Sequence, residues 1–198
     1  MYVSYESSTK KEGFRVVKQG SLQLFGYEGT SQELLARLVE ENRDRLLVQF
    51  TSVSIGSTNL PVPEGAYAKN RQQYKAQPFL KMLRSQTPHF AHALGLVDLD
   101  LFVPELNFIF GIAQYGGNAL VALPRLRNSF YGLPDDIDLF FQRTVKEVFH
   151  ELGHVFGLQH CTNDCVMQFS NSLSDTDNKP DTYCSSCLMR LKLRQGRF

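Results

Sequence analysis

Apolar and polar positions alternate along residues 14–25, FRVVKQGSLQLF, a period of two that predicts an opening strand, broken by Gly26 and Gly29. Thr30 then stands three residues before Glu33 in a capping-box arrangement, and Leu34, Leu35, Leu38 and Val39 recur at helical spacing. A first amphipathic helix is therefore expected to about Asn42. LLVQFTSV at 46–53 is apolar and β-branched and reads as the next strand. Strand, helix and strand in that order predict a right-handed crossover and a largely parallel sheet.

From Ile55, IGSTNLPVPEGAY carries two prolines and two glycines without periodicity and is expected to be a loop. A helical pattern returns over 70–86, where Pro78 should start or kink the helix and Thr87 and Pro88 end it. LGLVDLDLFV at 94–103 alternates through Leu96, Asp98 and Asp100, as a strand with one polar flank would. Beyond Pro104, NFIFGIAQ reads as a further strand, Tyr115 to Asn118 as a glycine turn, and ALVALPRLR as an antiparallel partner or sheet neighbour. A long helix should begin at Pro134 and Asp135, with Asp136 and Asp138 near the positive end of its dipole, and run to about Phe156. Ile137, Phe141, Val145, Val148, Leu152 and Val155 give it an apolar stripe to bury.

A chain of 198 residues with 42% hydrophobic positions can bury one proper core, so a single domain over 1–198 is expected. No apolar run approaches the roughly 18 residues of a membrane span, and the N-terminus has no apolar signal region, so a cytoplasmic protein is expected. The net charge of +1 is spread evenly, which argues against a nucleic-acid surface, and the basic tail RLKLRQGRF reads as a solvated end. A monomer is expected.

What changes the picture is HELGHVFGLQHCTNDCVM, residues 150–167. Residues four apart on a helix share a face, so His150 and His154 can offer imidazole nitrogens to one metal ion. Gly157 suits an abrupt helix stop, after which His160 can return to the same ion. Three imidazoles with the fourth position open are the pattern of a catalytic zinc, and Glu151 beside them is placed to act as general base. His89 and His92 lie outside this motif, and a surface or capping role is expected for them.

All four cysteines fall in two tight pairs, Cys161 with Cys165 and Cys184 with Cys187. That is the usual form of a four-thiolate structural zinc site, with two disulfides as the rival reading; a reducing cytosol favours zinc. Two zinc ions per chain are therefore expected, one catalytic and one structural.

The extended histidine motif is the metzincin signature. The run from His160 into Cys161, then Cys165, Met167, Cys184 and Cys187, resembles the archaemetzincins (archaelysins) in particular. LFVPELNFIFG at 101–111, NSFYGLP at 128–134 and CVMQFSNSLSDTDNK at 165–179 continue the likeness. The resemblance implies an α/β metzincin-like domain: a twisted mixed sheet with an antiparallel edge strand, a backing helix and an active-site helix. Residues 1–157 would form the α/β part, and 158–198 a small cysteine-rich, zinc-stapled C-terminal part. It also implies that Met167 forms the turn beneath the zinc, and that residues 108–114 are the edge strand that pairs with an extended substrate. Tyr183 and Tyr131 are the conceivable oxyanion stabilisers. The implied activity is hydrolysis of peptide bonds in a peptide or protein substrate, aminopeptidase-like trimming included. The alternative is a zinc-binding relative with little proteolytic activity that binds or regulates peptides.

Overall fold

The computed structural model describes residues 20–88 and 91–194. Residues 14–19 of the expected opening strand, and His89, lie outside them. In chain order come β1 (Leu22–Gly26), α1 (Gln32–Gln49), β2 (Val53–Ile55), β3 (Tyr67–Ala68), β4 (Gln73–Lys75), α2 (Ala76–Ser85) and β5 (His92–Val97). There follow β6 (Leu101–Phe102), β7 (Gly111–Ala113), β8 (Ala119–Ala122), α3 (Ile137–Val155), α4 (Leu173–Asn178) and α5 (Ser185–Arg194).

The main sheet runs β2-β1-β5-β8-β7, and the small one β3-β4-β6. β1, β2, β5 and β8 are mutually parallel, as the β1-α1-β2 order predicts, and β7 alone runs antiparallel, against β8. β7 lies inside the stretch expected to be an antiparallel edge strand, at the sheet's edge.

Both faces of the main sheet are covered. Leu22, Leu24, Leu94, Leu96, Ala119 and Val121 pack against α1, α3 and the C-terminal segment, while Ala93, Val97, Leu120 and Ala122 pack with α2. Every residue of β5 is consequently buried, which corrects the expectation of a polar flank. Asp98 and Asp100 instead sit past the end of β5, paired with Arg127 at 2.5 Å and Arg125 at 2.7 Å.

Several expected boundaries move. Ser31, not Thr30, caps α1, its hydroxyl accepting from the N–H groups of Glu33 and Leu34, while Thr30 is buried and donates to Leu96 O. α1 runs through 46–49 rather than yielding to a strand there. Its buried face continues Leu35, Leu38, Asn42, Leu46, Gln49 at helical spacing, and two polar residues on that face disguise the period. Asn42 is tolerated there because it donates to Leu38 O and accepts from Arg45. α2 begins at Ala76, since 67–75 form the β3–β4 hairpin, and Pro78 falls in its first turn, where a missing N–H costs nothing. His92 is core, not surface: Nδ1 lies 2.9 Å from Gly117 O, and the ring packs against both Phe50 and Phe156, which also touch each other. Ile137 is 74% exposed, because the first turn of α3 projects beyond the core its stripe buries.

Candidate metal centre

α3 starts on Asp136, whose carboxylate accepts from Leu139 N–H at 2.9 Å. About two turns further on, buried Arg143 grips Asp177 through two nitrogens and also donates to Leu126 O, fixing the helix against α4 and the 126–128 turn. The far end of α3 carries His150, Glu151 and His154, all buried.

The helix stops in a Schellman motif: Gly157 N–H donates to His154 O at 2.8 Å, and Leu158 N–H to Gly153 O at 2.9 Å. Gly157 stands at φ +77°, a conformation that a β-carbon would strain. This turn sends the chain back over the helix face and brings His160 to the other two rings.

The ring centroids of His150, His154 and His160 lie 4.6–5.3 Å apart, and the three donor nitrogens lie within 4.8 Å of one another. His150 Nδ1 sits 2.8 Å from Val166 O, and His154 Nδ1 2.7 Å from Leu158 O. Carbonyls only accept, so both Nδ1 atoms carry the proton and both Nε2 atoms present lone pairs. Those two Nε2 atoms are 3.1 Å apart. With neither holding a proton, this is not a hydrogen bond between them. Two ligands at zinc distance in a tetrahedron stand about 3.3 Å apart, so the pair fits a shared divalent ion.

Burial sets the charge state. Desolvation lowers the His154 and His160 imidazoles to about 4, and drives that of His150 well below the ordinary value. All three are neutral at pH 7, the state in which imidazole binds metal.

Glu151 is buried, and its Oε2 has no hydrogen-bond partner among the described residues. Desolvation raises its carboxyl well above the usual range, the neighbouring Glu147 raises it further and Lys179 opposes both. An orphaned carboxylate oxygen in a cleft is the mark of a group that awaits water or substrate.

Met167 is fully buried beneath the site, its Sδ filling the space a side chain at Gly153 would need. Its carbonyl accepts from Cys161 N–H at 2.9 Å. That bond joins the turn to a second cluster, in which the Sγ atoms of Cys161, Cys165, Cys184 and Cys187 lie within 4.8 Å of one another. The four are free thiols, the Cys161 and Cys184 sulfurs being 3.8 Å apart, so the rival disulfide reading is not what the fold contains. The Cys187 backbone N–H holds the Cys184 thiol down to about 6, near the thiolate form that binds soft cations.

A cavity of about 250 Å³ runs between β7 and the histidine end of α3, closed on a third side by Phe169, Ser170 and Asn171. Neither conceivable oxyanion tyrosine borders it. Tyr183 OH donates to Phe149 O at 2.6 Å, and Tyr131 OH to Arg125 O at 3.1 Å on the surface. Gly111 lies in the strand expected to line the cleft, though the sequence assigns it no role of its own; sequence reasoning missed Glu147, which also lines the cavity. For Glu147 a signal existed, since it stands one helical turn before Glu151.

The family model for peptidase family M54 matches residues 24–193. The archaemetzincin of Pyrococcus furiosus is 48% identical over 148 residues, covering 72% of this chain and 77% of its own. Among solved structures, the archaemetzincin of Methanopyrus kandleri superposes with a TM-score of 0.77 at 34% identity, covering 92% of this chain and 98% of that one. A zinc-dependent peptidase from Methanocorpusculum labreanum gives a TM-score of 0.75 at 29% identity, over 86% and 99% of the two chains.

Proposed function

The chain belongs to peptidase family M54, the archaemetzincins, and from that premise we propose that His150, His154 and His160 hold its catalytic zinc while Glu151 serves as general base and acid. The protein is a zinc metallopeptidase, acting on peptide or protein substrates. No helix among the described residues is long and apolar enough to cross a membrane.

One observation carries the assignment of roles: three neutral imidazoles converge beside a buried carboxylate oxygen that has no partner. When bound, zinc supplies Lewis acidity, which polarises a substrate carbonyl and acidifies a water. The chain's own groups do the rest. Glu151 Oε2 takes the proton from the attacking water and delivers it to the leaving amine, and burial that favours its protonated form suits it to that shuttle. The outer edge of β7 binds an extended peptide by strand addition, which fixes the scissile bond without dictating its side chains. The Val166 and Leu158 carbonyls fix the tautomers of His150 and His154, and Met167 supports the helix under them.

The four cysteines hold a second, structural zinc, so the chain carries two ions. Four unlinked thiols support a reducing compartment, the cytoplasm. The test is digestion of an unbiased peptide mixture by zinc-loaded protein, with Glu151→Gln as control. Cleavage by the wild type alone is expected, and products shortened by one N-terminal residue would identify aminopeptidase-like trimming. Equal cleavage by both proteins would remove Glu151 from its role.

A further inference from the structure

One member of a buried ion pair that the chemistry above does not use lines the cleft. Glu147, on α3 one turn before Glu151, borders the cavity, and its Oε1 is held by Lys179 Nζ at 2.9 Å and Thr176 Oγ1 at 3.2 Å. The pair is almost wholly enclosed, with side-chain exposures of 3% and 0%. Replacing an enclosed pair with apolar residues of like volume is often neutral or stabilising, so stability alone gives it little reason to stand there. Both of these partners take Oε1, and the carboxylate they fix belongs to a residue that lines the cavity. In the side of the cavity formed by residues 169–171, Ser170 Oγ is buried and has no hydrogen-bond partner among the described residues.

We propose that Glu147 and Ser170 form a specificity subsite for an uncharged carboxamide side chain, Asn or Gln, of the substrate residue beside the scissile bond. A primary amide offers an N–H to the Glu147 carboxylate and a carbonyl to the Ser170 hydroxyl, which gives that unpartnered hydroxyl an acceptor. An aliphatic side chain would leave the Ser170 hydroxyl buried and unsatisfied against a carboxylate, and is disfavoured for that reason. A cationic side chain would have to share one carboxylate with Lys179, and an anionic one would face Glu147 and Glu151 together. Lys179 is thus a positioning residue: it points the Glu147 carboxylate and cancels its net charge.

The inference rests on the peptidase reading, and the test has two arms so that each can fail alone. In the first, zinc-loaded wild type digests a randomised peptide mixture, and the residues flanking each cut are read by mass spectrometry. Asn and Gln should be enriched at one flanking position, about tenfold over Leu. That enrichment should fall in Ser170→Ala and vanish in the Glu147→Met/Lys179→Met double variant. A Leu or Phe preference in the wild type, or a profile unchanged in both variants, would overturn the subsite. In the second arm, immobilised zinc-loaded Glu151→Gln protein captures peptides from the same mixture, which are then sequenced. Carboxamide enrichment here without cleavage in the first arm would keep the subsite and sink the peptidase roles. No enrichment among captured peptides would sink the subsite whatever the first arm gives.

Discussion

A methyl group on Gly111 would stand 2.5 Å from both Cγ and Oε1 of Glu151. The edge strand and the carboxylate pass this closely only because residue 111 has no side chain. Gly111→Ala leaves the extended backbone of β7 unstrained and acts by pushing the carboxylate aside. A displacement of about 1 Å costs on the order of 10²-fold in rate, so kcat/KM should fall by about that factor while bound zinc and melting temperature hold. Steady-state kinetics beside metal analysis checks this; unchanged kcat/KM would mean Glu151 moves without consequence.

Glu151→Gln should retain zinc and fold yet lose turnover, since the amide cannot accept the water proton. Its metal-free form should also be more heat-stable than metal-free wild type at pH 8. The folded Glu151 carboxyl is raised, so above the unfolded value the folded chain must either hold a proton or bury a charge. Calorimetry of the two chelated proteins at pH 8 is the comparison.

The histidines act with the opposite sign. Burial holds His154 and His160 at about 4 against 6.5 for a free imidazole. Between those values the unfolded chain takes up protons on these rings and the folded chain does not, so stability is complete above 6.5 and is lost as pH falls towards 4. In a metal-free Glu151→Gln background, which removes the opposing carboxyl, the melting temperature should drop across that window. A flat profile would contradict the burial of the rings.

Metal counting should separate the two clusters. His150→Ala, His154→Ala or His160→Ala should each lower bound zinc by one ion per chain, with the fold retained. Cys165→Ala should also remove one ion, but with a large loss of melting temperature, because structural zinc contributes folding free energy directly. Atomic absorption and thermal unfolding on the same samples decide it; Cys165→Ala that loses no zinc would dissolve the second site.

Lys179→Met alone leaves the Glu147 charge buried without its counter-ion and should cost about 3–5 kcal/mol in urea unfolding. Adding Glu147→Met should restore most of that loss. A single variant as stable as wild type would show that the pair is solvated.

The local chemistry was written in the sequence. His150, Glu151 and His154 share a face because helical spacing demands it, Gly157 ends the helix because it alone takes that φ freely, and the Cys pairs announce their own cluster. Elements whose polarity tracked their burial were legible for the same reason: β1, α3 and the β7–β8 hairpin appear near where their patterns put them.

Where partners far along the chain set the environment, the pattern misled. Asn42 and Gln49 face the core from α1, so its last turn read as a strand. His92 read as surface and is core. Tyr183 followed the Met-turn in sequence as an oxyanion tyrosine would, yet its hydroxyl is spent on Phe149 O. Gly111 needs its missing side chain only because β7 crosses over residue 151, and Lys179 becomes a buried cation only because α4 lays it under Glu147. Spacing along one helix is a local property that the backbone enforces. Which groups are desolvated, and against whom, is a property of packing between distant segments, and only the tertiary structure decides it.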